Sequence, residues 1–178
     1  MKKLVALAFM FFTVCLVHAQ KFACIDSEYI LSNIPEYKQA QKELEEVSLQ
    51  WQKEIENKLS EVDKMYKSFQ AEALLLPSDL KVKKENEIIA AEKEAKALQK
   101  QRFGSDGDLS KKRSELVKPI QDKVYNAIEK IAQEKNYSAI FDKAGGASLL
   151  YVDNKTDISD MILSELGYRA SSGASSRR

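Results

Sequence analysis

Residues 36–76 read EYKQAQKELEEVSLQWQKEIENKLSEVDKMYKSFQAEALLL, a stretch with neither glycine nor proline. Apolar side chains recur at Leu44, Val47, Trp51, Ile55, Leu59, Val62, Tyr66, Phe69 and Ala73. These steps of three and four keep one stripe on one face of an α-helix. Glu and Lys fill the spaces, with Glu54 and Lys58, and Asp63 and Lys67, at i,i+4 spacing. At about 1.5 Å per residue the segment would be roughly 60 Å long. A helix of that length with one narrow stripe needs a partner helix, as in a coiled coil.

The partner follows in the sequence. Pro77 ends the first helix, and Ser78 or Asp79 is placed to cap the next. The returning stretch repeats the stripe at Ile88, Ala91, Ala95 and Leu98, then at Leu109, Leu116, Ile120, Val124, Ala127, Ile128 and Ile131. Gly104 and Gly107 lie within one turn, which predicts a loop or bulge between Phe103 and Asp108. Pro119 removes a backbone donor and is a candidate kink. The expected arm is therefore an antiparallel helical hairpin over 36–136, with its tip near 77–79.

Outside the arm the periodicity changes. Lys21 to Asp26 is a short β-prone run, followed by Asp26 and Ser27 as helix caps and by Pro35 as a first-turn residue. YSAIFD (Tyr137 to Asp142) and ASLLYV (Ala147 to Val152) read as two strands joined in a hairpin across Lys143 to Gly146. Thr156 or Asp157 then caps a last helix carrying Ile158, Met161, Ile162 and Leu166, stopped at Gly167. Residues 168–178 are rich in Ser and Gly without an apolar pattern, and read as a disordered tail. Residues 20–35 and 137–167 thus form an expected β-rich body. Three short strands bury too little alone, so it should close by oligomerising, with Phe22, Ile25, Ile140, Leu149 and Tyr151 as the facing residues. The fold class is α+β: a long antiparallel α-helical hairpin, a coiled-coil arm, projecting from a small β-rich oligomerisation body.

The first nineteen residues have another character. Lys2 and Lys3 precede an apolar run from Leu4 to Val17, and Val17, His18 and Ala19 resemble a cleavage site. Residues 1–19 read as a secretory signal peptide cut after Ala19. Bulky Val14 before Cys15 argues against a lipoprotein. Cleavage would remove His18, the sole histidine, and with it the usual general base and the middle member of a serine triad. Cys24 would be left as the one cysteine, set in an apolar run and best read as a small buried hydrophobe. No catalytic residue, cofactor site or metal site is expected. The glycine loop at 104–108 and the cluster of Asp153, Asn154 and Asp157 lack calcium-loop spacing.

Charge excludes another class. The chain holds 28 basic and 27 acidic residues, 31% of it charged in all, so it has no global field for nucleic acid. Apolar residues left off the pairing stripe gather near the tip: Met65, Leu74, Leu75, Leu76, Leu80, Val82 and Ile89. They are the candidate contact surface for an unfolded client, or they close the tip of the hairpin. Lys81, Lys83 and Lys84 make the tip locally basic, and membrane contact there is expected to be weak.

Several motifs carry a family resemblance: FACIDSEYIL (22–31), AQKELE (40–45), KPIQDKVYNAIEKIA (118–132), YSAIFD (137–142) and LLYVD (149–153). In order and spacing, from Phe22 to Leu166, the chain resembles the Skp or OmpH-like periplasmic chaperones. The resemblance implies a homotrimer with a β-rich body and three helical arms around a cavity. It implies a non-enzymatic chaperone that holds unfolded outer-membrane β-barrel proteins in the periplasm, without ATP, during outer membrane protein biogenesis. The chain departs from basic members of the family, since residues 36–136 hold 20 basic and 20 acidic side chains. That balance weakens the expectation of any lipopolysaccharide site ascribed to those members. The residues alone also suit a non-catalytic periplasmic coiled-coil adaptor that binds one folded partner.

Overall fold

The computed structural model describes residues 20–146, 149 and 151–169. The expected signal peptide and most of the expected tail lie outside them. The elements run β1 (Lys21–Ile25), α1 (Ser27–Ser32), α2 (Pro35–Glu72), α3 (Ser78–Phe103), α4 (Asp108–Lys135), β2 (Tyr137–Asp142), a 3-10 turn (Asn154–Thr156) and α5 (Ser159–Glu165). The chain divides into two units, one of residues 1–31 and 124–178, the other of residues 32–123. Among the described residues no helix is long and apolar enough to cross a membrane.

The first unit is organised by a parallel pair, β1 on β2, with Ala23 opposite Ile140 and Cys24 opposite Phe141. This corrects the expected hairpin between 137–142 and 147–152. Leu149, Tyr151 and Val152 lie in no strand, while residues 147, 148 and 150 fall outside the described set. Asp142 instead folds the chain away: its carboxylate accepts from the Ala144 and Ser27 amides at 3.0 and 3.1 Å. Those bonds tie the end of β2 to the start of α1 and leave β2 paired with a strand more than a hundred residues earlier.

β1 is bonded on both edges. Lys143 N donates to Ile25 O at 2.8 Å on one side, and Ile158 N donates to Cys24 O at 2.9 Å on the other. Asp157 holds the second contact in place. Its carboxylate takes the Lys143 ammonium at 2.5 Å, the Ser159 hydroxyl at 2.6 Å and the Ser159 amide at 2.9 Å. The Ser159 hydroxyl in turn accepts from Asp26 N at 2.8 Å, and Ser159 is buried. So Asp157 caps α5 from one residue further out than a usual N-cap, because the cap position is taken by Ile158. α5 ends at Leu166 in a Schellman arrangement, with Gly167 N on Ser164 O and Tyr168 N on Leu163 O. The core of this unit holds Ala23, Cys24, Ile25, Ile30, Val124, Ala127, Ile131, Ile158, Ile162 and Leu163. Cys24 is buried and free, as read from the sequence.

The second unit is the hairpin. α2 starts on Pro35 and runs unbroken for 38 residues. Pro77 occupies the cap position of α3, so Ser78 and Asp79 sit in the first turn rather than capping it. Pro119 is absorbed within α4. Asp63 pairs with Lys67 at 2.6 Å as its spacing predicts, but Glu54 turns to Arg102 on the returning leg instead of to Lys58.

Burial pushes the Asp157 carboxyl up, yet the bonds from Lys143 and Ser159 outweigh it and hold it below the usual carboxylate range. A carboxyl held low in the folded chain stabilises that chain above its unfolded pKa. It loses the contribution as pH falls through the folded value. Stability should decline from about pH 4 downward, and Asp157→Asn should lower it by about 1–2 kcal/mol near neutrality while flattening that acid decline. Urea unfolding of both forms across pH checks this.

Candidate functional site

Three ion pairs report one register along the hairpin: Glu72 with Lys84, Glu54 with Arg102 and Glu43 with Lys112. In each the residue numbers add to 155 or 156, so the returning leg keeps step with α2 from tip to base. The same rule places Tyr66 level with Ile89, Leu74 with Val82 and Leu75 with Leu80. All six are exposed, Leu74 and Leu75 almost fully at 94% and 87%.

Helix geometry explains which apolar residues escape burial. At about 100° per residue, Leu44, Trp51, Ile55, Val62, Phe69 and Ala73 stay within roughly 20° of one line along α2. Leu59 and Tyr66 lie about 60° and 40° to one side of it by the same count. Leu59 and Tyr66 are exposed, whereas Leu44 and Ile55 are buried. The three- and four-residue steps place Leu59 and Tyr66 on the stripe. The signal that could have separated them is this angular drift, which a tally of three- and four-residue steps conceals.

On α3 the inward line runs through Ala91, Ala95 and Arg102, and Val82 and Ile89 lie well over 90° from it. With apolar residues on two faces, α3 has almost no amphipathic character. Because the helices are antiparallel, the sides reached by turning onward from each inward line coincide. Leu59 and Tyr66 therefore lie on one flank of the hairpin, and Ile89, on the outer side of α3, is turned towards that same side.

The tip itself is tied down by charge. Lys84 meets Glu72 at 2.5 Å and Ser68 donates to the same carboxylate at 3.0 Å. The Lys84 bond, then that from Ser68, holds the Glu72 carboxyl below its usual range. Leu75 N closes the last turn on Glu72 O at 2.9 Å. Of the seven residues expected at a contact surface, Leu74, Leu75, Leu80, Val82 and Ile89 are exposed, while Met65 and Leu76 are half-buried. Tyr66 and Leu59 join them.

The first unit presents a second exposed apolar set. Phe22 and Phe141 stand on one face of the sheet with ring centroids 6.2 Å apart. Tyr125 and Tyr151 are largely exposed and Leu149 partly so. Ile140 is half-buried. Ile25, grouped with Phe22 in the sequence reading, is enclosed within its own unit at 5% exposure. The alternation of side chains along a strand separates the two: Phe22 shares a face with Cys24, and Ile25 with Ala23. Phe141 is the residue that reading missed.

One unit is a long helical hairpin with exposed apolar residues and the other holds a small sheet with exposed aromatic residues, so each presents a surface suited to binding. The chain belongs to the OmpH-like outer membrane protein family, whose sequence model matches residues 21–166. It is 34% identical over 145 residues to an uncharacterized protein of Aquifex aeolicus (strain VF5), covering 82% of this chain and 85% of that one. Its fold matches the crystal structure of a candidate outer membrane chaperone (OmpH-like) from Caulobacter crescentus CB15. The TM-score is 0.66, with 13% identity and 83% of each chain covered.

The contrast between the two faces of α3 is measurable. Ala95 is 1% exposed at the helix contact, so Ala95→Leu should overpack it and cost about 1–3 kcal/mol. Ile89→Ser on the open flank should change stability by less than about 0.5 kcal/mol. Denaturant midpoints of the two variants test the assignment of faces.

Proposed function

We propose that this protein is an ATP-independent holdase of the periplasm, which binds unfolded outer-membrane β-barrel proteins and keeps them from aggregating. An unfolded barrel strand alternates apolar and polar side chains and associates with its like in water. The observation that carries the reading is the run of exposed apolar residues along the distal hairpin, from Leu59 and Tyr66 through Ile89 and Val82 to Leu74 and Leu75. Such residues offer many contacts that are individually weak. Their sum retains a client, and each can let go separately. Family membership supports the same conclusion.

Export by the segment 1–19, with cleavage after Ala19, belongs to this proposal. So does self-association through the exposed face of Phe22, Phe141, Leu149 and Tyr151, with three copies expected from the family resemblance. The balanced charge of the hairpin favours apolar over long-range electrostatic capture, so holding should depend little on salt.

Replacing Leu74, Leu75 and Leu76 together by Ser should weaken protection of urea-diluted outer-membrane proteins several-fold while leaving the native mass unchanged. Aggregation followed by light scattering measures the first and multi-angle scattering the second. Protection equal to wild type would remove the tip from the contact surface, and no protection by the wild type would favour a passive adaptor. Leu149→Glu, at an exposed site, should lower the native mass, since a charge facing a like charge in a symmetric contact is repulsive.

A further inference from the structure

The returning leg of the hairpin is interrupted once, between Phe103 and Asp108, opposite an α2 that is continuous. The interruption is built, not frayed. Gly104 N donates to Lys100 O at 2.8 Å, Gly107 N to Gly104 O at 2.9 Å and Lys111 N to Gly107 O at 3.1 Å. A β-carbon on Gly104 would collide with the Lys100 carbonyl, and one on Gly107 would lie 2.8 Å from the Gln101 carbonyl oxygen. Both neighbours are backbone atoms that cannot step aside, so the tight path needs glycine at both places.

Arg102 spans this break. Its Nη1 reaches Asp108 Oδ2, the first residue of α4, at 2.7 Å, and its Nη2 reaches Glu54 Oε2 on α2 at 3.3 Å. Its guanidinium carbon stands 4.8 Å from the centroid of the Trp51 ring. Phe103 meets the same ring edge-on at 6.5 Å and 84°. One planar side chain thus touches all three helical segments that converge on the joint.

Elementary mechanics says why that matters. Two packed helices lie about 9 Å apart. Bending the pair by about 20° must lengthen or shorten one leg by roughly 3 Å, the rise of two residues. An intact helix can do so only by giving up hydrogen bonds; a four-residue loop can do so by changing its dihedrals. The break is therefore where this hairpin yields first, and Arg102 is what opposes yielding. The latch is poised rather than locked, because Arg102 Nε is buried with no hydrogen-bond partner. Opening would return that donor to water and offset part of the lost contacts.

We propose that Arg102 is a positioning residue that latches the Gly104–Gly107 joint shut against Trp51, Glu54 and Asp108, and that its release lets the distal half of the hairpin swing. The joint is a conformational device of the hairpin itself and stands whether or not the tip holds clients. Lysine cannot replace Arg102, since a point-charge ammonium cannot lie flat on indole and reach two carboxylates at once.

Hydrogen–deuterium exchange of the intact protein tests this at the amides of Gly104, Gly107 and Lys111. Arg102→Met should speed their exchange about tenfold at low salt and Arg102→Lys nearly as much, while amides at 88–98 and 112–123 keep wild-type protection. Raising salt from about 50 mM to about 500 mM should speed exchange at the joint in the wild type and change Arg102→Met little. Trp51→Phe should fall between wild type and Arg102→Met. Wild-type exchange in Arg102→Lys, no salt response, or protection lost evenly along α3 and α4 would each overturn the proposal. The last would show a residue that merely supports the fold.

Discussion

The rest of the structure depends on the parallel pairing of Lys21–Ile25 with Tyr137–Asp142. Parallel strands cannot be joined by a tight turn; the chain must leave the sheet and come back to the side it left. Here the connection contains the whole hairpin, out along α2 and back along α3 and α4. Closing a connection of this size is not prohibitive, since loop-closure entropy grows only with the logarithm of its length. It does require the closing contacts to be dense. Asp142, Asp157, Lys143 and Ser159 supply them within a few residues of the strand ends, and β1 is bonded on both edges.

That constraint also marks how far the sequence could be read. The hairpin was legible because its signals are local: a helical stripe, a proline at the turn, two glycines at the break. The partner of β2 was not. YSAIFD is followed by Lys143 to Gly146 and a second apolar run, so local pattern points to an antiparallel hairpin. What decides otherwise is Asp142 bonding to Ser27, 115 residues away, which no neighbouring residue announces. The same limit applies on the hairpin. Steps of three and four put Leu59 and Tyr66 on the stripe, and only their accumulated angle about the helix axis moves them to the flank. Arg102 was unreadable for a similar reason. Its partners Trp51 and Glu54 come from the other leg, and the register alone brings them together.

Burial is unevenly distributed along the hairpin. Leu44, Ile55 and Ile120 are enclosed, whereas beyond the Arg102 level Ala95 is the one fully enclosed residue among those described on α3, and it is small. The exposed apolar residues gather in that same distal part. A segment with few buried contacts opens at low free-energy cost. On the proposed reading, a client-holding surface gains from such a segment, because fitting clients of unlike sequence requires the surface to give way.

Buried packing and exposed apolar surface are therefore concentrated at different levels of one helical pair. Below the break, ion pairs such as Lys112 with Glu43 and the buried stripe hold the legs in register. Above it, Lys84 with Glu72 fixes the register at the tip without filling the interior. The two ends of the distal segment are thus pinned by charge while Leu59, Tyr66, Leu74, Leu75, Leu80, Val82 and Ile89 remain exposed. Exposed ion pairs contribute little to stability but fix geometry at small cost, since either partner alone is content in solvent. Had apolar packing fixed the tip instead, Leu74, Leu75, Val82 and Ile89 would have been consumed in closing it. The charged tie at the tip is what leaves those side chains free to meet something else.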